Sequence, residues 1–175
     1  MVMESTVQKT MHLHLDDNLS KEISTAVCET MRKTFKIEMV PGQYEIGEGV
    51  ASLVGDVTGV IGIVQDQLEG TLALSLSYDV MRDLLPQIVG RSVSITHEMA
   101  VDAVGEMTNM IFGQVKCGIN GTGLQIKLGI PTVVSGKGHF VSHFHRGKYM
   151  IIPFKMDDQL IQVYVALHSG NNKYD

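Results

Sequence analysis

Residues 94–119, SITHEMAVDAVGEMTNMIFGQVKCGI, carry the longest helical period in the chain and constrain the fold more than any other segment. Ala100, Ala103, Val104, Met107, Met110, Ile111 and Val115 recur on one broad side, which predicts a helix seated on a sheet. Asp102, Glu106, Asn109 and Gly113 follow one another at helical steps of four, three and four, so they form a single stripe on the other side. Leaving one buried polar group unpaired costs about 1–3 kcal/mol, and an unpaired charge more. Total domain stability is only roughly 5–15 kcal/mol. The stripe must therefore face outward. Thr96 and Glu98 supply a cap and an early negative charge, and NGTG (residues 120–123) stops the helix.

The other elements read from the same periods. In DDNLSKEISTAVCETMRKTF, Leu19, Ile23, Val27, Met31 and Phe35 fall at helical spacing, with Asp16, Asp17, Asn18 and Ser20 available as caps. VTGVIGIV and TLALSLS, joined by QDQLEG, predict two antiparallel strands of a hairpin. YDVMRDLLPQIVG predicts a short helix closed by Gly90, with Pro86 forcing a kink or an early end. LQIKLGIPTVVSG, HFVSHFHRG, KYMIIPFKM and LIQVYVALHS predict strands, the last two joined by a turn at Asp157–Asp158. Each long helix is thus followed by strands, which suggests two related halves around one sheet, although no residue-level repeat is evident. The expected class is α+β, a largely antiparallel sheet with long helices packed on one face. Residues 1–15 read as an arm or an edge strand, 16–170 as one domain and 171–175 as a tail.

Composition excludes some functions. Hydrophobic residues are 44% and charged residues 19%, so the chain can fold, and a net charge of −5 without a basic stripe argues against nucleic-acid binding. No window approaches the roughly 20 apolar residues of a membrane span. The start, MVMESTVQKT, lacks a signal-peptide pattern, and Cys28 and Cys117 read as reduced thiols in a cytoplasmic protein.

Spacing alone leaves two readings of the stripe open: an ordinary solvated face, or a surface presented to a partner. Gly105 and Gly113 flank it, where glycine costs about 1 kcal/mol relative to alanine but allows close approach. Asn109 does not titrate near neutrality, and no Ser, Cys or His nucleophile accompanies it. Covalent catalysis is therefore a poor fit. A carboxamide can position a water and a carboxylate can grip a cation, which suits hydrolysis of an activated bond brought by a partner.

At these residues the sequence resembles the CheC/CheX/FliY family of chemotaxis phosphatases. That signature is Asp or Ser, then Glu four residues on, Asn three further, and a proline about 22 residues beyond, here Asp102, Glu106, Asn109 and Pro131. GEMTNMIFGQV and the element order resemble the CheX version. The resemblance implies hydrolysis of the aspartyl phosphate on a CheY-type receiver domain. In that reading Asn109 orients the water, Glu106 pairs with the receiver's lysine, Asp102, Gly105 and Gly113 meet the partner, and Pro131 shapes the adjoining strand. It also implies a homodimer, and Mg²⁺ held by the receiver with no cofactor on this chain. A second signature is missing from the first helix, because three residues after Glu22 and Glu29 stand Thr25 and Arg32. The alternative is a receiver-binding or motor-associated adaptor without catalysis. A third reading, a metal or sensory module, rests on His139, His143 and His145, which share parity in a strand-like run without the spacing of a closed site.

Overall fold

The computed structural model describes residues 13–65, 68–90, 94–141 and 147–169. Its elements are α1 (Asp17–Thr30), continued by one π turn (Met31–Phe35), β1 (Val40–Pro41), β2 (Glu45–Glu48), β3 (Ala51–Ser52), β4 (Val57–Gln65), β5 (Leu68–Leu76), α2 (Tyr78–Val89), α3 (His97–Gly121), β6 (Lys127–Leu128), β7 (Thr132–Ser135), β8 (Phe140–Val141), β9 (Lys148–Met156) and β10 (Gln159–Ser169).

Short polar side chains open all three helices. Asp16 Oδ1 accepts from Leu19 N at 3.0 Å, Ser77 Oγ from Val80 N at 3.2 Å and Thr96 Oγ1 from Met99 N at 3.2 Å. The first helix ends where Lys36 turns left-handed with φ 60°. The second runs to Gly90 as expected, with α2 continuing three residues past Pro86 to Val89. Proline removes a single amide donor, and Arg82, whose carbonyl loses it, is an exposed residue that water can reach. Gly90, with φ 100°, then closes the helix through its N–H to Pro86 O at 3.1 Å.

The two long hairpins lie at the middle of one antiparallel sheet of order β1-β9-β10-β5-β4-β6, with β2 also on the outer edge of β9 and β7 on that of β4. Asp157, at φ 53°, starts the tight turn that pairs Met156 with Gln159. The suspected doubling is present and interlocked. Each half runs helix, two short strands, a third short strand and a hairpin, and each lends its two short strands to the other half's hairpin: β1 and β2 to β9, β6 and β7 to β4. The third short strands, β3 and β8, pair with each other.

All three helices pack on one face, as the periodicity requires. That face carries Ile61, Leu72, Leu74, Ile152, Phe154 and Val163 against Ile23, Val27, Leu84, Val104, Ile111 and Phe112. The other face is covered in part by the β3–β8 pair, where Ala51, Leu53 and Val141 meet Ala73, Tyr164 and Ala166. β3 is too short to carry a period that a sequence would show, whereas β8 falls within the strand-like run HFVSHFHRG.

Residues 1–12, most of the segment read as an arm, lie outside the described residues, as does the tail. Leu13 and Leu15 pack on the core. The two thiols are unpaired, Cys117 exposed and Cys28 half-buried. Burial, with Glu38 adding to it, pushes the Cys28 thiol above its ordinary pKa and keeps it protonated at neutral pH.

α3 seats tightly on the sheet at Gly59 of β4. A Cβ there would overlap the Thr108 hydroxyl and come within 2.9 Å of Thr108 Cβ. Gly59→Ala is therefore expected to destabilise the fold by about 1–3 kcal/mol. Gly62→Ala on the same strand, whose Cβ would find nothing nearer than 4.0 Å, should change urea unfolding little.

Candidate functional site

The seating of α3 decides what its stripe can do. Val104, Met107, Thr108, Ile111, Phe112 and Val115 are buried against the sheet. Thr108 hides its hydroxyl by donating to Val104 O at 2.6 Å. Asp102, Glu106 and Asn109 lie on the opposite side and are exposed. Met107 fills core, and Met99 and Met110 pack at its margin.

A second wall stands beside the stripe. The β6–β7 connection runs Gly129, Ile130, Pro131, and β7 then follows alongside α3. Together these elements form an open cleft of about 470 Å³ lined by Val101, Asp102, Gly105, Glu106, Asn109, Gly129, Ile130, Pro131 and Val133. Five of the six residues singled out in the sequence thus line one cleft. Gly113 lies beyond it, in open space. Gly105 sits where β7 comes near, since a Cβ there would be 3.3 Å from Val133 Cγ2. The close neighbour at Gly105 is this chain's own strand, so the missing side chain narrows the gap between the cleft's two walls.

Both walls are pinned. Gly129 N–H donates to Gly62 O at 2.9 Å, tying the connection to β4. His97, in the first turn of α3, lies within hydrogen-bonding distance of Tyr78 Oη through Nδ1 (2.6 Å) and of Ser135 Oγ through Nε2 (3.2 Å). One imidazole thereby links α2, α3 and the end of β7. Neither His97 nor Ile130 stood out in the sequence. The only signal for Ile130 was an apolar residue set between Gly and Pro in a connection, where apolar side chains have no core to enter.

In the first half the corresponding gap is bridged. Between α1 and the β1–β2 connection, Tyr44 Oη donates to Asp17 Oδ1 at 2.7 Å and bridges the two walls. That bond raises the Tyr44 hydroxyl's pKa. A larger hollow, about 690 Å³, lies between α2 and the start of α3, lined by Tyr78, Arg82 and His97 among others, but no carboxylate or carboxamide is among its described lining.

His139 meets protein groups through both ring nitrogens. Its Nε2 lies 2.6 Å from Thr58 Oγ1, itself 2.8 Å from Ser75 Oγ, and its Nδ1 lies 2.8 Å from Gly136 O. His143 and His145 lie outside the described residues.

An antiparallel sheet built from two interlocked halves, with an Asp-Glu-Asn stripe on the outer face of its long helix, defines a domain of the chemotaxis-phosphatase type. The chain belongs to the chemotaxis phosphatase CheX family, whose model matches residues 57–155 and so includes the stripe and Pro131. The CheY-P phosphatase CheX of Thermotoga maritima is 24% identical over 164 residues, covering 89% of this chain and 99% of that protein. The chemotaxis protein CheX from a Desulfovibrio desulfuricans subspecies superposes with a TM-score of 0.77 at 28% identity, covering 86% of this chain and 99% of its own. The fold also matches the CheX–CheY–BeF3–Mg complex of Borrelia burgdorferi, with a TM-score of 0.67 at 19% identity over 85% of this chain and 97% of that one.

The two glycines beside the stripe predict opposite behaviour. Gly113→Ala meets nothing within 4 Å, so helix propensity should raise stability by about 0.5–1 kcal/mol. Gly105→Leu must push Val133 aside and should lower it by about 1–3 kcal/mol. Urea unfolding of both variants gives the two signs.

Proposed function

We propose that this protein hydrolyses the aspartyl phosphate of a phosphorylated CheY-type receiver domain, with Glu106 and Asn109 as the groups that act. The observation that carries the reading is their shared exposure on one helix face, beside an open cleft, with no Ser, Cys or His among the cleft's described lining.

The chemistry asks little more of this chain. An acyl phosphate is already activated, and its hydrolysis is accelerated mainly by placing water in line and steadying charge. The Asn109 carboxamide accepts a hydrogen bond from the attacking water and donates from its nitrogen, orienting a lone pair toward phosphorus. The water oxygen bonds to phosphorus as the bond from phosphorus to the aspartate oxygen breaks, releasing inorganic phosphate and a free carboxylate. Glu106 pairs with the receiver's active-site lysine and fixes the two proteins in register. Asp102, one turn earlier, and Gly105 complete the docking face, and Pro131 shapes the facing wall.

The Borrelia burgdorferi relative is a complex with CheY, BeF3 and Mg²⁺, an assembly of the kind proposed here. In such a pairing the cation belongs to the receiver's phosphate site, where it neutralises developing charge. This chain's part is positioning. The proposal includes a cytoplasmic location, where receiver domains act, and a homodimer. No described helix is long and apolar enough to cross a membrane.

The test is the decay of radiolabelled phospho-receiver from the same organism with and without the protein. Wild type should accelerate phosphate loss, and Asn109→Ala should remove about 100-fold or more of that acceleration, the equivalent of roughly 2.7 kcal/mol of positioning. Glu106→Ala should do the same through a misaligned pair. Unchanged decay with every cognate receiver, while binding persists, would make the protein an adaptor instead.

A further inference from the structure

Ile130 is 90% exposed, and no large apolar side chain among the described residues is more exposed. It stands at the tip of the β6–β7 connection, on the rim of the cleft that holds Glu106 and Asn109. Its neighbours hold it there. Gly129 is tied to Gly62 O at 2.9 Å, and Pro131, with its fixed φ, is half-buried against the cleft. The side chain is thus presented to water by anchored backbone on both sides, so little conformational entropy remains to be lost on contact.

It is also not alone. Val101 on α3 and Val133 on β7, each half-buried, line the same cleft, so the polar pair faces an apolar wall capped by Ile130. Exposed apolar residues scattered singly mean little, but a continuous apolar wall rimmed by acids marks a contact surface.

We infer that Ile130 is the apolar anchor that docks the receiver domain, meeting an apolar side chain on the receiver surface beside the phosphorylated aspartate. The inference rests on the phosphatase reading and deepens it. The occupant follows from continuity: whatever brings its acyl phosphate to Asn109 must lie across the cleft rim, and Ile130 is the part of the rim that projects furthest from solvent-compatible chemistry. Closing that apolar contact also excludes bulk water, leaving the water held by Asn109 as the one in line. Ile130 touches no reacting atom. Its part is affinity and register, and Asn109 supplies the rate.

The experiment combines steady-state phosphate release with titration of the beryllofluoride-activated receiver from the same organism. Ile130→Ser should raise both KM and Kd about 10-fold, or ~1.4 kcal/mol. Its kcat should stay within about 2-fold of wild type, the pattern of lost uniform binding. Ile130→Leu should restore wild-type KM, and Val40→Ser, at an exposed apolar residue on the opposite edge of the sheet, should alter neither constant. An unchanged KM and Kd in Ile130→Ser, or a loss confined to kcat, overturns the inference while Asn109→Ala still abolishes turnover. If Asn109→Ala leaves turnover intact, the phosphatase reading fails, and the docking inference falls with it.

Discussion

The seating of α3 on β4 is the contact on which the rest of the structure depends. Gly59 offers no side chain, Thr108 fills the space and satisfies its own hydroxyl within the helix, and the rotation of α3 about its axis is thereby fixed. Once Val104, Thr108, Ile111 and Val115 face the sheet, helical geometry sends Asp102, Glu106 and Asn109 to solvent. Three polar groups are held at the surface by a constraint that belongs to packing. The fold therefore pays no desolvation penalty for its candidate site.

The interlocking of the two halves supplies the second wall. Because β6 and β7 leave their own half to pair with β4, the β6–β7 connection is carried back alongside α3 and its Gly129 is fastened to Gly62. The first half repeats the architecture with different chemistry. Its helix offers Thr25 and Arg32 where an Asn would be needed, and Tyr44 and Asp17 join across the gap. One architecture thus yields an open cleft beside the stripe of α3 and a bridged gap at the corresponding place in the first half.

Much of this was legible in the sequence because it is written locally. The α3 stripe, the Thr96 cap, the β4–β5 hairpin and the Asp157–Asp158 turn each follow from a period or a turn residue within a few positions. The parts that were not legible depend on distant partners. The β3–β8 pair joins residues about ninety positions apart through two residues each. The cleft's far wall required knowing that β7 returns to α3, which is what brings Val133 beside Gly105. His97 was passed over because its partners, Tyr78 and Ser135, come from two other elements. The contacts of His139 with Thr58 and Gly136 likewise come from residues outside its own strand-like run.

A surface that works by positioning should leave no covalent trace on itself. The most direct test is a single turnover of ³²P-labelled phospho-receiver in ¹⁸O-water with excess protein, following the label on both chains and the oxygen isotope in the products. The account predicts that ³²P passes from the receiver to inorganic phosphate without appearing on this chain, and that the new oxygen is found in the phosphate. Transient ³²P on this chain, or ¹⁸O in the receiver's aspartate carboxylate, would contradict it, because the first requires a side chain of this protein to attack phosphorus and the second requires attack at carbon.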